Sequence, residues 1–449
     1  MASNPIEQRI ELLAEQWEKY KNTDAPVICF RCQPDEVDMI DTFYTYMIAD
    51  DTEVYDIAFH FDSICSDIQT FSKELLNELT ETIEIWNNCQ KDERIDFQPV
   101  DWKAMDYINS KNNPALLFVE NFNRLAKELD LEESLNVVAI FKTHNKTNAF
   151  KEWLSHAVKS GIDTNVKFII DDTTESPFFE SLKELKKQFF VLPVKLDMAK
   201  AMEQAAAMGD PKDPGTGYRY NFIKMMNAMA QSKEKEAEQL GQTCLKIVEE
   251  NISKDPYWSI QLVTIYIALA NDKLKYKKMA EAFDYASASV EASIALQQYI
   301  DTALATILQA QSQMFRGTLF YTAKKYEEAF TDYQTAFKIY AEQGQTALSI
   351  EAARMGAEAA FKAGKQKDGK TTIANGLLQG HLLNKETVLA STYAPLLKMY
   401  VDDYDASYDL FISRDEVQSL ARELYGEDWL VKVKNWNKAI TPQETSTVK

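Results

Sequence analysis

The chain has 449 residues and a formal net charge of −20, with 45% apolar and 26% charged residues. This length exceeds what one hydrophobic core usually supports, so at least two domains are expected. The composition is that of a globular protein and excludes wholesale disorder, while the excess of acid disfavours nucleic acid and anionic lipid surfaces as partners.

The acidic charge is concentrated at the start, because residues 1–100 hold 22 Asp and Glu against 7 Lys and Arg. Such a surface favours other proteins with basic surfaces as partners, although acid can also serve solubility alone. No window approaches 18 consecutive apolar residues, which argues against membrane insertion. Scattered cysteines and a first helix without a signal-peptide core predict a cytoplasmic protein.

Residues 1–208 alternate short β-rich apolar runs with helical patterns, which predicts an acidic α/β domain with a mainly parallel sheet. Strands are predicted at residues 26–31, 55–61, 115–119, 136–141, 166–170 and 189–194. Helices are predicted at residues 36–49, 70–87, 121–129, 149–160 and 178–187. Several strands are apolar throughout, as expected where helices cover both faces of the sheet.

The sequence pattern changes at residues 209–217, which read GDPKDPGTG and predict a linker between domains. Beyond it no strand pattern appears, and residues 218–430 carry long alanine-rich helical segments that predict an all-α helical-repeat domain. The remaining residues, 431–449, end in TPQETSTVK and are predicted to form a partly disordered C-terminal tail.

The clearest motif is GTLFYTAKKYEEAFTDYQTA at residues 317–336. Small and aromatic residues recur in it at helical spacing: Gly317, Phe320, Tyr326, Ala329, Tyr333 and Ala336. The motif resembles the tetratricopeptide repeat, in which small residues let two antiparallel helices approach and aromatic residues fill the space beside them. Weaker copies are offset by 47 and 40 residues, longer than the family's period of about 34.

The resemblance implies stacked helical hairpins with a groove that binds another protein. A generic alanine-rich helical bundle is the alternative. Neither interpretation identifies the partner-binding residues from the sequence.

Residues 364–371 read GKQKDGKT, which matches the Walker A pattern for phosphate binding through Gly364, Gly369, Lys370 and Thr371. A functional loop of this kind needs a buried strand before it and a helix after it. The preceding segment is helical instead, and the two glycines fall where the repeat needs a turn and a small packing residue. We therefore reject this match as a nucleotide site.

The strand endings of the first domain resemble the ATPase cores of the AAA+ and signal-transduction NTPase classes. ALLFVEN at residues 115–121 resembles a Walker B strand, and VVAIFKTH at residues 137–144 resembles a sensor strand. After the first strand, however, QPDEVD at residues 33–38 supplies no glycine, lysine or hydroxyl group for a phosphate. The resemblance therefore implies a pseudo-ATPase whose fold survives as a platform.

Other candidate groups have a structural interpretation. Cys29 and Cys32 form C-x-x-C inside a strand, so they are predicted to be buried thiols on opposite faces. Four histidines lack zinc-site spacing: His60, His144, His156 and His381. Two acid pairs are interpreted as solvated turns, with Mg²⁺ binding or general-base work as the alternative: Asp50 with Asp51, and Asp171 with Asp172.

These patterns predict no catalytic residue, metal or cofactor, and hence no enzyme. They predict a cytoplasmic adaptor, scaffold or chaperone whose helical-repeat groove holds a partner protein, and the architecture suggests a bacterial secretion or signalling assembly. A nucleotide-dependent switch with an unrecognised site in the first domain is the alternative function, and a hydrolase or transferase is a third. The oligomeric state cannot be inferred from the sequence.

Overall fold

The computed structural model describes residues 4–49, 52–91, 99–105, 113–141, 145–300, 302–384 and 386–436. The chain divides into two compact units, Met1–Met208 and Gly209–Lys449. The proposed linker, residues 209–217, lies at the start of the second unit, and a helix already begins inside it at Pro214. Most of the predicted tail, residues 437–449, lies outside the described residues.

Five parallel strands form the sheet of the N-terminal unit, in the order β2-β3-β4-β1-β5. They are β1 Val27–Cys32, β2 Ile57–Phe61, β3 Val137–Phe141, β4 Val166–Thr173 and β5 Phe189–Pro193. The helices of this unit are α1 Glu7–Tyr20, α2 Val37–Met47, α3 Ile68–Lys91, α4 Leu116–Leu129, α5 Asn148–Lys159 and α6 Met198–Ala206. The predicted fold class, an α/β domain followed by a helical-repeat domain, is confirmed.

Helices cover both faces of the sheet, which explains why its strands are mainly apolar. Val27 and Cys29 of β1 belong to the core that α3, α4 and α5 complete. Ile28 and Phe30, which point the other way, belong to the core formed with α1 and α2. Every residue of β3 is buried. The unit is therefore a three-layer sandwich with the sheet in its middle layer.

One predicted strand is wrong. Residues 115–119 lead into α4, where Phe118, Phe122 and Leu125 are all buried at helical spacing. A short apolar run cannot distinguish a strand from a buried helix, and here the pattern continues through the following residues. The correction removes the proposed Walker B strand, one of the strands on which the ATPase resemblance was based, and the pseudo-ATPase interpretation is left without support. The predicted helix 178–187 is a 3₁₀ segment, Glu180–Gln188, interrupted at Lys186.

The described part of the C-terminal unit is built from helices. They are α7 Pro214–Ala230, α8 Glu234–Asn251, α9 Ser259–Lys275, α10 Met279–Leu296, α11 Thr302–Thr322, α12 Tyr326–Glu342, α13 Thr346–Lys362, α14 Gln366–Leu378, α15 Tyr393–Asp403, α16 Arg414–Tyr425 and α17 Trp429–Lys434. Successive hairpins begin at residues 214, 259, 302 and 346, so the repeat spans 43 to 45 residues. Within the described chain, no helix has the length and apolarity needed to cross a bilayer.

The same turn joins five pairs of helices, α7–α8, α9–α10, α11–α12, α12–α13 and α13–α14. In each, one residue takes a left-handed conformation with φ between 57° and 78°: Ser232, Lys277, Lys324, Gly344 and Gly364. The next N–H then donates to a carbonyl five residues earlier, as Lys325 does to Phe320 at 2.8 Å. This is the Schellman geometry, which satisfies carbonyls that the end of a helix leaves unpaired.

Small residues hold α11 against α12 at the position that the tetratricopeptide-like motif predicts. Ala329 and Ala336 are fully buried, as is the ring of Tyr333. A Cβ added to Gly317 would lie 2.8 Å from Tyr333 Cε1. The glycine is therefore required by the close approach of the two helices.

We expect Gly317→Ala to destabilise the C-terminal unit by about 1–3 kcal/mol, because the added methyl group overpacks a buried ring. Gly217→Ala is the matched control, since the nearest atom to its added Cβ, on Ile247, is 4.0 Å away. In a helix with room for it, this change should stabilise by up to about 1 kcal/mol. Urea unfolding of both variants would measure the difference, and stabilisation by both would contradict the close packing.

Candidate functional sites

The carboxyl edge of the sheet is where open parallel sheets usually bind ligands, at the point where successive connections leave in opposite directions. In this sheet β1 and β4 are neighbours, yet the chain continues from β1 towards β2 and from β4 to β5 on the opposite side of β1. The residues that follow β1 and β4 therefore line the crevice at which a ligand site is expected.

Glu36 fills the position after β1 where an anion would otherwise meet a helix N-terminus. Its carboxylate accepts hydrogen bonds from the backbone N–H of Gln33 at 2.9 Å, Leu196 at 2.6 Å and Asp197 at 2.9 Å. Glu36 is buried. The backbone donors that could bind a phosphate are thus occupied by the chain's own carboxylate, which also ties the end of β1 to the segment after β5.

Asp172, at the end of β4, also serves the backbone. It accepts hydrogen bonds from the N–H of Thr173 at 3.0 Å, Phe178 at 2.9 Å and Phe179 at 3.0 Å. Its fourth partner is the guanidinium of Arg31, 3.4 Å away. This acid was predicted to be a solvated turn residue, but it is buried and shapes the loop after β4.

The side chain of Asp171 points to the opposite face of the sheet from that of Asp172, and its carboxylate has few polar contacts. It is buried, and its carboxylate lies 3.3 Å from Lys146 Nζ. Within the described residues its oxygens receive no hydrogen bond from any other group. Burial raises the pKa of Asp171 to about 6, the charge of Lys146 opposes the rise, and the neighbouring Asp172 adds to it.

The remaining candidates of the first domain that the structure describes do not assemble into a site. Cys29 and Cys32 are buried on opposite faces of the sheet, and burial raises the pKa of the Cys32 thiol to about 12. His60 lies in β2 and His156 in α5. Within the described residues no group of three or more His, Cys, Asp or Glu could hold a metal ion. Asp50, Asp51 and His144 lie outside the described residues.

The Walker A match lies inside the helical repeat. Gly364, with φ of 78°, is the left-handed residue of the α13–α14 turn, and Lys370 lies in the second turn of α14. Lys370 Nζ contacts the carboxylate of Asp405 and donates to Ser407 Oγ at 2.8 Å. A Cβ on Gly369 would clash with the ring of Phe361. These residues link α14 to the chain after α15.

A cleft of about 300 Å³ lies along the first helices of the hairpins, where α13 contacts α15. Its walls carry charged and apolar side chains: Arg354, Glu358, Pro395, Lys398, Met399, Asp402 and Trp436. Sequence reasoning did not identify these residues, because a charge on a helix surface looks the same whether it lines a cleft or faces open solvent.

The charged groups of this cleft are held in place by their neighbours. Arg354 makes a bidentate pair with Glu351 at 2.6 and 2.7 Å and lies 3.6 Å from Glu358. The hydroxyl of Tyr321 donates to Glu358 across the hairpin boundary, and Lys398 pairs with an acid one turn away in α15. The cleft therefore offers oriented polar groups beside the thioether of Met399.

Comparisons with known proteins give little further information. No protein-family model matches the chain, and no curated protein matches its sequence. Among solved structures, the apo form of RapI is similar to it at 12% identity, over 83% of this chain and 82% of that chain, with a TM-score of 0.34. A likeness of this size supports no assignment of function.

Asp171→Asn is expected to raise the free energy of unfolding at neutral pH. The pKa of Asp171 is about 6 in the folded chain, against about 3.9 in an unfolded one. The folded state therefore binds this proton more tightly, and stability falls as the pH rises from about 4 to about 6. Asp171→Asn has no carboxyl group to ionise and so does not lose this stability. Its free energy of unfolding should exceed that of the wild type by under about 1 kcal/mol at pH 4.5 and by up to about 3 kcal/mol at pH 7.5.

Urea unfolding across this pH range would measure the advantage. Asp38→Asn, at an exposed position of α2, is the control for removing one acid from the same unit. An Asp171→Asn effect that did not change with pH would contradict the raised pKa.

We expect the chain to bind neither Mg-ATP nor Mg-GTP, because Lys370 already has protein partners and Glu36 occupies the backbone donors after β1. Calorimetric titration of the wild type and Lys370→Ala would check this. Micromolar binding that disappears in the variant would establish a site at residues 364–371. Binding that persists would indicate a site in the N-terminal unit and favour the nucleotide-switch alternative.

Proposed function

We propose that this chain is a non-catalytic adaptor of the tetratricopeptide-repeat type, which holds a segment of a partner protein in the cleft between α13 and α15. The cleft itself carries the proposal. It combines a half-buried Arg354, oriented by two acids, with the half-buried apolar side chains of Met399 and Trp436. Binding surfaces between proteins are enriched in such Arg, Met and aromatic groups.

The volume of the cleft defines what it can hold. A space of about 300 Å³ is at the lower limit of small-molecule pockets, and it suits one or two side chains of a peptide. The mixed charges fit a polar segment with an apolar anchor. The acidic N-terminal residues add long-range attraction for a basic partner. A scaffold or chaperone role, and a secretion or signalling assembly as the setting, are proposals that follow from this architecture.

Site-specific photo-crosslinking tests the proposal. A photoreactive amino acid at position 398, in the cleft, is expected to capture a defined partner in the native cell, identified by mass spectrometry. The matched control is position 331, which is exposed on α12, the second helix of its hairpin. Capture at both positions alike, or at neither, would contradict binding in this cleft.

A second variant tests whether the captured partner depends on the cleft. Met399→Glu replaces an apolar contact with a charge among existing acids and should reduce capture at position 398 by at least about tenfold, equivalent to about 1.4 kcal/mol. Unchanged thermal unfolding of this variant would show that the loss arises from binding and not from folding.

A further inference from the structure

A second cavity, of about 290 Å³, opens in the N-terminal unit at the amino edge of the sheet. Loops that lead into β1, β3 and β4 form its walls, at residues 22–26, 133–136 and 162–165. This is the edge opposite to the crevice that Glu36 and Asp172 occupy. Its lining is mostly polar, and its volume is at the lower limit of small-molecule pockets.

Lys167 places a buried positive charge beside this cavity. Its side chain is only 3% exposed, and its Nζ donates to the backbone carbonyls of Thr23 at 2.8 Å and Ala25 at 3.4 Å. An ammonium group has three N–H donors, so one donor has no acceptor among the described residues. Burial lowers the pKa of Lys167, and the charge of Asp24 opposes the fall. A further anionic group next to Lys167 would also stabilise the charged form.

Thr23 provides a second group that needs a partner. Thr23 lines the same cavity, and its Oγ1 is buried and has no hydrogen-bond partner among the described residues. A buried hydroxyl without a partner costs about 1–3 kcal/mol. A ligand oxygen near Lys167 Nζ and Thr23 Oγ1 would satisfy both groups.

Acidic side chains surround the same space. Asp24, Glu133 and Asp163 line the cavity, and among the described residues Lys127 pairs with Asp163 at 3.0 Å. A simple anion would be repelled by these carboxylates, whereas an ammonium group would be attracted. The cavity thus has a positive pole at Lys167 and a negative pole at its acidic loops.

The part of the cavity wall around Asn136 is held by hydrogen bonds within the protein. Asn136 is buried, and Asp56 accepts hydrogen bonds from its backbone N–H at 2.6 Å and its side-chain amide at 3.3 Å. The other oxygen of Asp56 accepts from Trp17 Nε1 at 2.7 Å and Lys21 Nζ at 3.1 Å. A wall held by a buried network loses little entropy on binding.

We propose that this cavity binds a small zwitterion of the free α-amino acid class. The carboxylate lies against Lys167 Nζ and Thr23 Oγ1, and the ammonium group faces Asp24 and Glu133. The site is separate from the cleft of the C-terminal unit, so this proposal does not depend on the adaptor function.

Calorimetry and thermal unfolding of the full chain test the proposal with three probes of similar size, L-alanine, propionate and ethylamine, followed by the other common amino acids. At least one amino acid is expected to bind and to raise the unfolding midpoint, because a ligand specific for the folded state stabilises it. Propionate and ethylamine each contact one pole and should bind at least tenfold more weakly. Equal binding of propionate, or no response to any amino acid, would overturn the proposal.

Lys167→Met keeps the length of the side chain but removes the charge, and it should reduce affinity at least tenfold. Thr23→Val is the second variant, which keeps the proposal testable if Lys167→Met does not fold. Lys159→Met, at an exposed position of α5, is the matched control and should bind as the wild type does. Wild-type affinity in both Lys167→Met and Thr23→Val would also overturn the assignment.

Discussion

Each hairpin of the C-terminal unit has an apolar face that only its neighbour can cover, and the unit depends on this mutual coverage. The helices approach closely because contact positions carry glycine or alanine, as at Gly317 beside Tyr333 and at Gly369 beside Phe361. Where such a pair meets, the helix axes are fixed. The cleft between α13 and α15 is a consequence of the same packing, since Gly376 of α14 lies against both Ala353 and Leu396.

The N-terminal unit uses its carboxylates in a different way. Glu36 and Asp172 each accept hydrogen bonds from three backbone N–H groups, so two acids of a strongly acidic domain stabilise its interior. These hydrogen bonds occupy backbone donors at the carboxyl edge of the sheet, where many parallel sheets bind ligands. A polar cavity lies at the opposite edge of the sheet, and the buried Lys167 of β4 lines it.

The sequence predicts the architecture well because its main signals are periodic. Five of six strands and the packing roles of Ala329, Ala336 and Tyr333 follow from the spacing of apolar residues alone. The failure at residues 115–119 has the same origin, since five apolar residues fit either period. Buried polar roles are harder: Glu36 and Asp172 resemble solvated acids until the N–H groups that they bind, up to 161 residues away, are in view.

The sites could not be predicted for a related reason. Lys167 lies in a strand and Arg354 on the surface of a helix. The local sequence around neither residue indicates a binding site. Both become distinctive only through neighbours from other elements: the loop before β1 for Lys167, and α15 for the cleft around Arg354. The helical-repeat architecture depends on local pattern and could therefore be predicted from the sequence.

The repeated turn has a consequence for how such a protein can evolve. It is held by bonds between backbone groups, and the left-handed position accepts glycine, serine or lysine. Substitutions there change the cost of the turn by about 1 kcal/mol without removing its bonds. Selection on this array therefore acts on helix length and on the volume of a few contact residues. Related sequences can therefore diverge at most other positions while the backbone fold stays the same.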